Sequence, residues 1–407
     1  MTVTQVALFD PKRSYAKLQS ELEDAALRVL KSGRYIMGAE VENFEEECVT
    51  YLKVKHAIGV SSGTDALIMA LMALGIGPGD EVIVPTYTFF ATAGSVARIG
   101  AIPVFVDSCP CCFNISPSGI AEKITKKTKA IIPVHLFGQA AEMATIMELA
   151  EKHGIPVIED ACQAIGAEYR GQRVGSIGKI GCFSFFPAKN LGAFGDAGLV
   201  TTNDDALAIK LKALRSHGEV VRYDHQMIGG NFRIDALQCA LLNVKLKYLD
   251  ESTVNRQKNA ALYQELLTFG QVAKPNIHGT SCGDACAAKP LDAIQLNKSD
   301  NTKLPVLLPL AMQSRHVFNQ YVIRVPHRRD ALQQHLAKKN IATAIYYPAA
   351  LHAQKAFSYL GHSVNNFPVA YACSQDSLAL PVWPELTSAE VSYVANHIIN
   401  FFKEQVI

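Results

Sequence analysis

Short apolar runs rich in β-branched residues alternate with helical patterns between His56 and Val200, and this alternation constrains the fold more than any other feature. The strand-like runs are HAIGV, EVIVP, IPVFV, AIIPVHL, IPVIED and CFSFF, with helical patterns such as TDALIMALMALG and AEMATIMELAEKHG between them. Near-continuous apolar strands separated by helices are typical of a mostly parallel sheet covered on both faces. We therefore predict an α/β chain that binds ligands at the carboxyl ends of its strands.

The C-terminal part of the chain predicts a second, smaller α/β domain. A helical pattern that begins at Ile234 and runs past ALYQELL leads out of the first domain. It is followed by a strand (NQYVIRV), a helix (RRDALQQHLAKKN), a strand ending in IYYP and a closing helix (SAEVSYVANHIINFFKE). We expect a large domain over residues 1–250 and a small domain over residues 251–407.

Two further segments have recognisable patterns. A helix is predicted from Ser14 to Lys31, because Gly33 is well suited to end it. The stretch from Asn276 to Lys303 is polar, contains Gly and Lys and shows no periodicity. It is therefore expected to be an extended loop or a mobile insertion in the small domain.

Charge and hydropathy argue against nucleic-acid and membrane partners. Lys and Arg total 39 and Asp and Glu total 37, so the net charge is only +2, and no block of one sign stands out. The first residues lack the charged and apolar regions of a signal peptide, and the longest apolar stretch, Ala66 to Ile76, is too short to span a bilayer. A cytoplasmic protein is expected.

The ten cysteines do not form the dense framework of a small secreted domain. Two clusters, Cys109-Pro110-Cys111-Cys112 and Cys282 with Cys286, raise the possibility of a metal or redox site. One CxxC and one CxxxC without further ligand spacing are weak signals. We therefore expect no metal and interpret both clusters as cysteine-rich surface loops.

The first candidate site is SSGTD, residues 61–65, where the strand HAIGV turns into a helix. A helix N-terminus offers unpaired backbone N–H groups, and a glycine such as Gly63 lets a phosphate approach the backbone closely. The segment is thus a candidate phosphate cup. An ordinary N-cap remains an equal alternative, since Ser, Thr and Asp cap many helices.

Two charged residues follow later strands. Asp160 ends the run IPVIED, and because side chains alternate along a strand, only one of Glu159 and Asp160 can face a given cleft. A buried carboxylate there needs a partner, either a protonated ring nitrogen or a structural backbone or Arg group.

Lys189 follows CFSFF in PAKNLG, and such a lysine can condense with an aldehyde once its pKa falls. A solvated lysine is the alternative.

A phosphate cup, an acid for a ring nitrogen and a loop lysine at one sheet edge are the parts that pyridoxal 5′-phosphate (PLP) requires. Long motifs extend the pattern: GRYIMGAEVENFEEE, VSSGTDAL, VPTYTFFATAGSV, IPVHLFGQ, VIEDACQAIGAEYRG, SFFPAKNLGAFGDAGLV, GGNFRIDALQCALLNVKL and YYPAALH. Over nearly the whole chain except residues 276–303, the sequence resembles the nucleotide-sugar aminotransferases of the DegT/DnrJ/StrS group. The resemblance implies the fold of type I PLP enzymes, with a large domain and a smaller C-terminal α/β domain.

The resemblance also implies roles for individual residues. Lys189 matches the lysine that forms a Schiff base with PLP, and Asp160 matches the carboxylate on the ring nitrogen. The other implied cofactor contacts are Gln163 at the ring hydroxyl, Phe89 stacked on the ring, and Gly63, Thr64, Ser184 and Asn231 at the phosphate. Asn231 is implied to come from the neighbouring subunit of a homodimer. Tyr346, Tyr347 and His352 resemble, more loosely, residues near the sugar and its diphosphate, and each has packing as an alternative role.

The implied reaction moves an amino group from glutamate, which leaves as 2-oxoglutarate, to a keto-sugar carried on a nucleotide such as UDP or dTDP. Such reactions serve surface polysaccharide, lipid A or antibiotic sugars. Three alternatives stay open: a PLP-dependent sugar dehydratase, a keto-cyclitol aminotransferase and a catalytically silent regulatory homologue. The dehydratases carry histidine in place of the lysine, so Lys189 favours transfer.

Overall fold

The computed structural model describes residues 3–274 and 305–404. The predicted insertion from Asn276 to Lys303, with Cys282 and Cys286, lies outside the described residues. Within the two described ranges, no helix is both long and apolar enough to cross a membrane.

The helices are α1 (Pro11–Ser32), α2 (Ala39–Leu52), α3 (Gly63–Ala73), α4 (Ala91–Arg98), α5 (Pro117–Lys123), α6 (Met143–His153), α7 (Asp205–Arg215), α8 (Ala236–Leu246), α9 (Leu249–Phe269), α10 (Arg329–Lys338), α11 (Pro368–Asp376) and α12 (Ser388–Lys403). Short 3-10 turns cover Leu136–Gly138, Leu351–Ala353, Lys355–Leu360 and Val364–Asn366. The predicted N-terminal helix is confirmed, and Gly33 ends it in the left-handed conformation at φ 66°.

The strands are β1 (His56–Val60), β2 (Glu81–Pro85), β3 (Ile102–Val106), β4 (Thr128–Ile131), β5 (Ile158–Asp160), β6 (Glu168–Tyr169), β7 (Gln172–Arg173), β8 (Ile180–Ser184), β9 (Gly198–Thr202), β10 (Glu219–Val221), β11 (Asp224–His225), β12 (Ala273–Lys274), β13 (Val306–Leu307), β14 (Tyr321–Arg324) and β15 (Ser377–Leu380). Every strand-like run from HAIGV to CFSFF overlaps one of these strands.

The large sheet has the order β3-β2-β4-β5-β8-β9-β1. Strands β3, β2 and β4 are parallel, and β5 is parallel to β8. Two parallel bridges, Ile131 to Val157 and Val134 to Asp160, join β4 to β5. Strand β9 runs antiparallel to both β8 and β1. The predicted mostly parallel sheet is confirmed, and the antiparallel strand GLVTT is an element that the sequence analysis did not identify.

Neighbouring residues of one strand pack into different cores on the two faces of the sheet. Phe183 and Leu199 belong to the core that packs with α1, α2, α6 and α8. Cys182 and Val200 belong to the core that packs with α3 and α4. Burial on both faces explains why these strands are near-continuous apolar runs.

The small domain is built on the sheet β12-β13-β14-β15. A third core joins this sheet to α9, α10 and α12. The first described residues also belong to this core, because Val6 pairs with Ile341 and the Trp383 indole donates a hydrogen bond to the Ala7 carbonyl. The exact boundary at residue 250 stays a prediction.

Two local predictions are wrong. The segment ending in IYYP is not a strand: only single bridges form, at Ile341 and Ala344, and the following backbone is held by a side chain of the large domain, Tyr87. Cys109–Cys112 is not a surface loop, because its three cysteines are 8% exposed or less. Leu310 and Met312 pack over these thiols, which behave as small apolar groups.

Gly181 allows strand β8 to pass close to a neighbouring turn. A Cβ at this position would lie 2.6 Å from both the Cα and the carbonyl oxygen of Gly175, and it would also contact Thr201 Oγ1. Backbone atoms cannot move aside as a flexible side chain can, so we expect Gly181→Ala to destabilise the protein by about 1–3 kcal/mol or more.

Gly77→Ala is the matched control, because a Cβ there meets nothing within 4 Å. It should change the free energy of unfolding by less than about 1 kcal/mol. Denaturant unfolding of both variants measures the difference, and equal stabilities would contradict the close approach at Gly181.

Candidate active site

Two adjacent carboxylates at the end of β5 face opposite sides of the sheet, as the alternation of side chains requires. Glu159 is fully buried and accepts four hydrogen bonds: from His135 Nε2 at 2.9 Å and from the backbone N–H groups of Gly175, Ile177 and Gly178 at 2.8, 2.8 and 2.6 Å. The Ala141 N–H donates to His135 Nδ1 at 3.1 Å, so His135 carries its proton on Nε2. Glu159 is thus a structural acid.

Asp160 faces the candidate cleft. It is 4% exposed and accepts hydrogen bonds from Thr92 Oγ1 at 2.8 Å and from the Cys162 N–H at 3.2 Å. In the part of the chain that the structure describes, Asp160 forms no salt bridge. A buried carboxylate with two neutral donors and no paired cation is suited to bind a cation from a ligand.

The candidate phosphate cup lies at the N-terminus of α3. Ser62 caps the helix by accepting a hydrogen bond from the Asp65 N–H at 3.1 Å. Gly63 follows, and a Cβ there would lie 2.7 Å from Ser184 Cβ and 2.8 Å from Cys162 Sγ. Ser184, at the end of β8, is half-buried. The structure therefore brings Gly63 and Ser184 together, with Thr64 as the second residue of α3.

Lys189 lies on a loop that starts at the end of β8 and is fixed at several points. The Lys189 N–H donates to the Phe186 carbonyl at 2.8 Å, and the Ala193 N–H donates to the Phe185 carbonyl at 2.7 Å. Gly192 passes so close to Pro187 that a Cβ there would contact the Pro187 carbonyl. The loop therefore has a defined shape without belonging to a helix or strand.

Burial lowers the pKa of the Lys189 ammonium below the usual value for lysine, and the nearby Asp160 carboxylate opposes this effect in part. Desolvation disfavours the charged form of an amine, so the side chain loses its proton more easily than an exposed lysine does. A neutral amine is the form that can attack a carbonyl carbon or take up a proton.

Gln163 joins three parts of the site. The Phe137 N–H donates to Gln163 Oε1 at 2.8 Å, which leaves Gln163 Nε2 to donate to the Tyr347 hydroxyl at 2.9 Å. The rings of Tyr347 and Phe89 lie 6.2 Å apart. Phe89 is 57% exposed, so its face is available to a planar ligand.

Tyr346 and His352 are held mainly by the protein itself. The Tyr87 hydroxyl donates to the Tyr346 carbonyl at 2.6 Å. His352 is 3% exposed, with Nδ1 2.7 Å from Thr86 Oγ1 and Nε2 3.3 Å from the Val364 carbonyl oxygen. The packing alternative therefore describes His352 in this structure, and its contact with substrate stays a prediction.

Asn231 is exposed and lies on the rim of a cleft of about 340 Å³ that Ser61, Gly195 and Arg233 also line. Its backbone forms a bridge with Ser216. Among the hydrogen bonds of the described residues, none joins Asn231 to Gly63, Thr64 or Ser184 of the same chain. Its proposed contact across a subunit interface stays a prediction.

The residues at this edge fit PLP. The N-terminus of α3 at Gly63, beside Ser184, suits a phosphate, the Asp160 carboxylate without a paired cation suits a protonated ring nitrogen, and Phe89 offers an exposed ring. These features need a ligand that is anionic at one end, cationic on its ring and planar.

Sequence reasoning missed several residues that hold the site. Thr92 binds Asp160, Cys162 lies between Gly63 and Asp160, and Tyr87 fixes the backbone of Tyr346 and Tyr347. Thr92 and Tyr87 lie in the motif VPTYTFFATAGSV, which the sequence analysis used only for the resemblance. Their positions at the end of β2 and on α4 could have indicated contact with the cleft.

Comparisons with known proteins agree with this geometry. The model of the DegT/DnrJ/EryC1/StrS aminotransferase family matches residues 16–281 and 293–399. A protein named pleiotropic regulatory protein, from Geobacillus stearothermophilus, is 43% identical over 399 residues, which cover 98% of this chain and 99% of the relative. A UDP-N-acetyl-3-dehydro-α-D-glucosamine 3-aminotransferase from Acidithiobacillus ferrooxidans is 40% identical over 396 residues, with 97% of each chain covered.

A solved structure with a sequence identity similar to that of these relatives supports the fold. The crystal structure of DesV from S. venezuelae in complex with a ketimine intermediate matches with a TM-score of 0.87 and 36% identity. The match covers 98% of this chain and 99% of DesV. The fold type expected from the sequence is therefore confirmed.

The lowered pKa of Lys189 predicts its reactivity in the protein freed of cofactor. Because a neutral amine reacts with acylating reagents, labelling of Lys189 should reach its half-maximal rate at a lower pH than the value of about 10.4 typical of a free lysine side chain. Peptide mass spectrometry over a pH series measures this, with the exposed Lys127 as internal reference. A midpoint at or above that of Lys127 would contradict the account of burial.

Proposed function

This chain belongs to the DegT/DnrJ/EryC1/StrS aminotransferase family, whose aminotransferases depend on PLP, and from this premise we propose that it transfers an amino group from glutamate to a nucleotide-linked keto-sugar. The observation that carries the proposal is the convergence of Lys189, Asp160 and the Gly63 cup at the carboxyl edge of one sheet. A sugar nucleotide as acceptor is supported by the 40% identical relative, whose name specifies a UDP-linked keto-sugar.

In this proposal Gly63, Thr64 and Ser184 hold the PLP phosphate, Asp160 balances the charge of the ring nitrogen, and Phe89 stacks on the ring. Gln163 directs its amide toward the ring hydroxyl together with Tyr347. When bound, PLP supplies an aldehyde and a conjugated ring that accepts the electron pair of a broken C–H bond. The protein supplies binding, orientation and the charge of Asp160.

Lys189 has two tasks in the proposed reaction. Its amine would hold the cofactor until the amino donor takes its place. The neutral amine would then be placed to take the proton from the α-carbon of glutamate and to return a proton during transfer of the nitrogen. Both tasks need the neutral form, which burial of the side chain favours.

The atoms balance over two halves. Glutamate gives up its amino group and its α-hydrogen, takes the oxygen of one water molecule and leaves as 2-oxoglutarate. The keto-sugar then accepts the nitrogen and one hydrogen at its ketone carbon, releases the ketone oxygen as one water molecule and becomes an amino sugar. Each half uses the same lysine and the same carboxylate, so one site serves both substrates.

Three alternative functions differ from this proposal in a residue, a substrate or the need for a cofactor. Sugar dehydratases of the group carry histidine where this chain has Lys189, so the lysine favours transfer over elimination. A keto-cyclitol acceptor uses the same cofactor residues and is distinguished only by substrate. A regulatory role is raised by the name of the 43% identical relative, but the buried, unpaired Asp160 costs stability that a protein without a cofactor has no need to bear.

A substrate panel tests the function directly. We expect purified protein with PLP and glutamate to add one amino group to a UDP-, dTDP- or GDP-linked keto-sugar, as read by mass spectrometry. Asp160→Asn removes the charge at nearly constant shape, so it should bind PLP yet slow the glutamate half-reaction by about 100-fold or more. Amination of free keto-cyclitols alone would favour that alternative, and full activity of Asp160→Asn would refute the role of Asp160.

We also propose that two subunits share each site, with Asn231 given to the partner's cofactor phosphate. The exposed position of Asn231, without a hydrogen bond to its own cup, supports this proposal. In a symmetric dimer the exchange is mutual, so each subunit gives one Asn231 and receives one.

Mixing two inactive variants tests the shared site. A Lys189→Ala chain combined with an Asn231→Asp chain forms mixed dimers in which one site takes Lys189 from one chain and Asn231 from the other. Random pairing makes half of the dimers mixed, each with one intact site of two, so roughly a quarter of normal activity per chain should return. No recovery after verified subunit exchange, or an active monomer, would sink the proposal.

A further inference from the structure

Asn190, the residue after Lys189, is bound by its side chain to a distant segment of the small domain. Its Nδ2 donates to the Val317 carbonyl at 2.9 Å, and its Oδ1 accepts a hydrogen bond from Asn319 Nδ2 at 2.8 Å. More than 120 residues of sequence separate these partners. The reactive lysine is therefore adjacent in sequence to a contact between domains.

The orientation of both amides is fixed by their partners. The Val317 carbonyl can only accept, so the nitrogen of the Asn190 amide must face it. The Asn190 oxygen then faces Asn319, which must donate its nitrogen in return. Asn319 is 6% exposed, so water does not compete freely for this bond. This is the one arrangement that forms both hydrogen bonds of Asn190, and these bonds restrict the position of the loop at Lys189.

The same segment of the small domain also contacts the turn at Phe137 and Gly138, which binds Gln163. We call residues 316–320 the bracing segment. The Val317 N–H donates to the Gly138 carbonyl at 2.9 Å, beside Phe137, whose N–H binds Gln163. Gly138 has φ 98°, and a Cβ there would lie 2.8 Å from Val317 Cγ2 and 2.9 Å from the Asn319 nitrogen. Only glycine permits this approach without strain.

The bracing segment is itself anchored to α9. Buried Arg256 donates to the Phe318 carbonyl at 3.2 Å, and Gln257 Nε2 donates to the His316 carbonyl at 2.9 Å. The rings of His316 and Phe318 stack with their centres 3.8 Å apart. The segment is thus fixed on the small-domain side before it contacts the site.

We propose that Asn190 is a positioning residue for Lys189, through which the bracing segment sets where the lysine amine lies relative to Asp160 and Gln163. This inference rests on the proposed role of Lys189. Asn190 does not contact the reacting atoms; it restricts the loop so that the amine stays in its half-buried position. A misplacement of about 1 Å can cost on the order of 100-fold in rate, so a modest loosening has a large effect.

The test compares Asn190→Leu, which has similar volume and no hydrogen-bonding group, with Asn319→Ala, which removes one donor and keeps the bond to Val317. In the PLP-loaded enzyme, Asn190→Leu should lower kcat by about tenfold or more and change KM for the keto-sugar by less than about twofold. Amides of residues 188–193 should exchange with deuterium at least about tenfold faster. The pH at which the visible band of bound PLP shifts should also move, and Asn319→Ala should show smaller changes in the same direction.

Asn259→Ala is the matched control, because Asn259 is equally buried in the small domain and its Nδ2 donates to the Trp383 carbonyl at 3.0 Å. It should lower thermal stability while leaving kcat, the visible band of bound PLP and the deuterium exchange of residues 188–193 unchanged. The proposal would be overturned if Asn259→Ala had equal effects. It would also be overturned if the deuterium exchange of residues 188–193 and the visible band of bound PLP were unchanged in both Asn190→Leu and Asn319→Ala. If Asn190→Leu does not fold, the result for Asn319→Ala alone tests the positioning role of Asn190.

A failure of the proposed function is distinguishable from a failure of this inference. Lys189→Ala should abolish the band of lysine-bound PLP entirely, whereas Asn190→Leu should retain and shift it. A band that survives in Lys189→Ala would assign the cofactor to another lysine and remove the basis of the inference. A band lost in Lys189→Ala but unchanged in Asn190→Leu would leave the function intact and reject the positioning role.

Discussion

The rest of the site depends on two buried carboxylates, Glu159 and Asp160, which lie side by side at the end of β5. Glu159 accepts hydrogen bonds from His135 and from three backbone N–H groups, and these bonds hold the turn that precedes β8 against the end of β5. Asp160 accepts hydrogen bonds from Thr92 Oγ1 and from the Cys162 N–H, and among the described residues it forms no salt bridge. Because a buried charge without a paired cation is costly, a cationic group of a ligand would be stabilised beside Asp160.

The topology brings the other groups to that carboxylate. The cup at Gly63 follows β1 and the Lys189 loop follows β8, and both strands run parallel to β5, so their carboxyl ends meet at one edge. The small domain then closes the arrangement from outside through Tyr347 at Gln163 and through the bracing segment at Asn190. The site thus depends on long-range contacts between two domains as much as on the strands that carry its charged residues.

Much of this follows from sequence because the strong signals are local. Apolar periodicity predicted the sheet, and the position of Asp160 and Lys189 just after strands predicted their common edge. What could not be predicted depends on contacts across the chain. The IYYP segment has strand-like composition, yet Tyr87 binds its backbone in place of a neighbouring strand. Cys109–Cys112 was predicted to be a cysteine-rich surface loop, but Leu310 and Met312 cover it. The hydrogen bond between Asn190 and Asn319 corresponds to no local sequence pattern.

The central claim is that Lys189 is the residue that binds PLP, and reduction of the holoprotein with borohydride tests it most directly. Reduction makes the link between cofactor and lysine permanent, so digestion and mass spectrometry identify the modified residue without any assumption about substrate. The account predicts a single adduct, on the peptide that contains PAKNLG, at Lys189. An adduct on another lysine, or none in a protein that retains stoichiometric PLP, would contradict it.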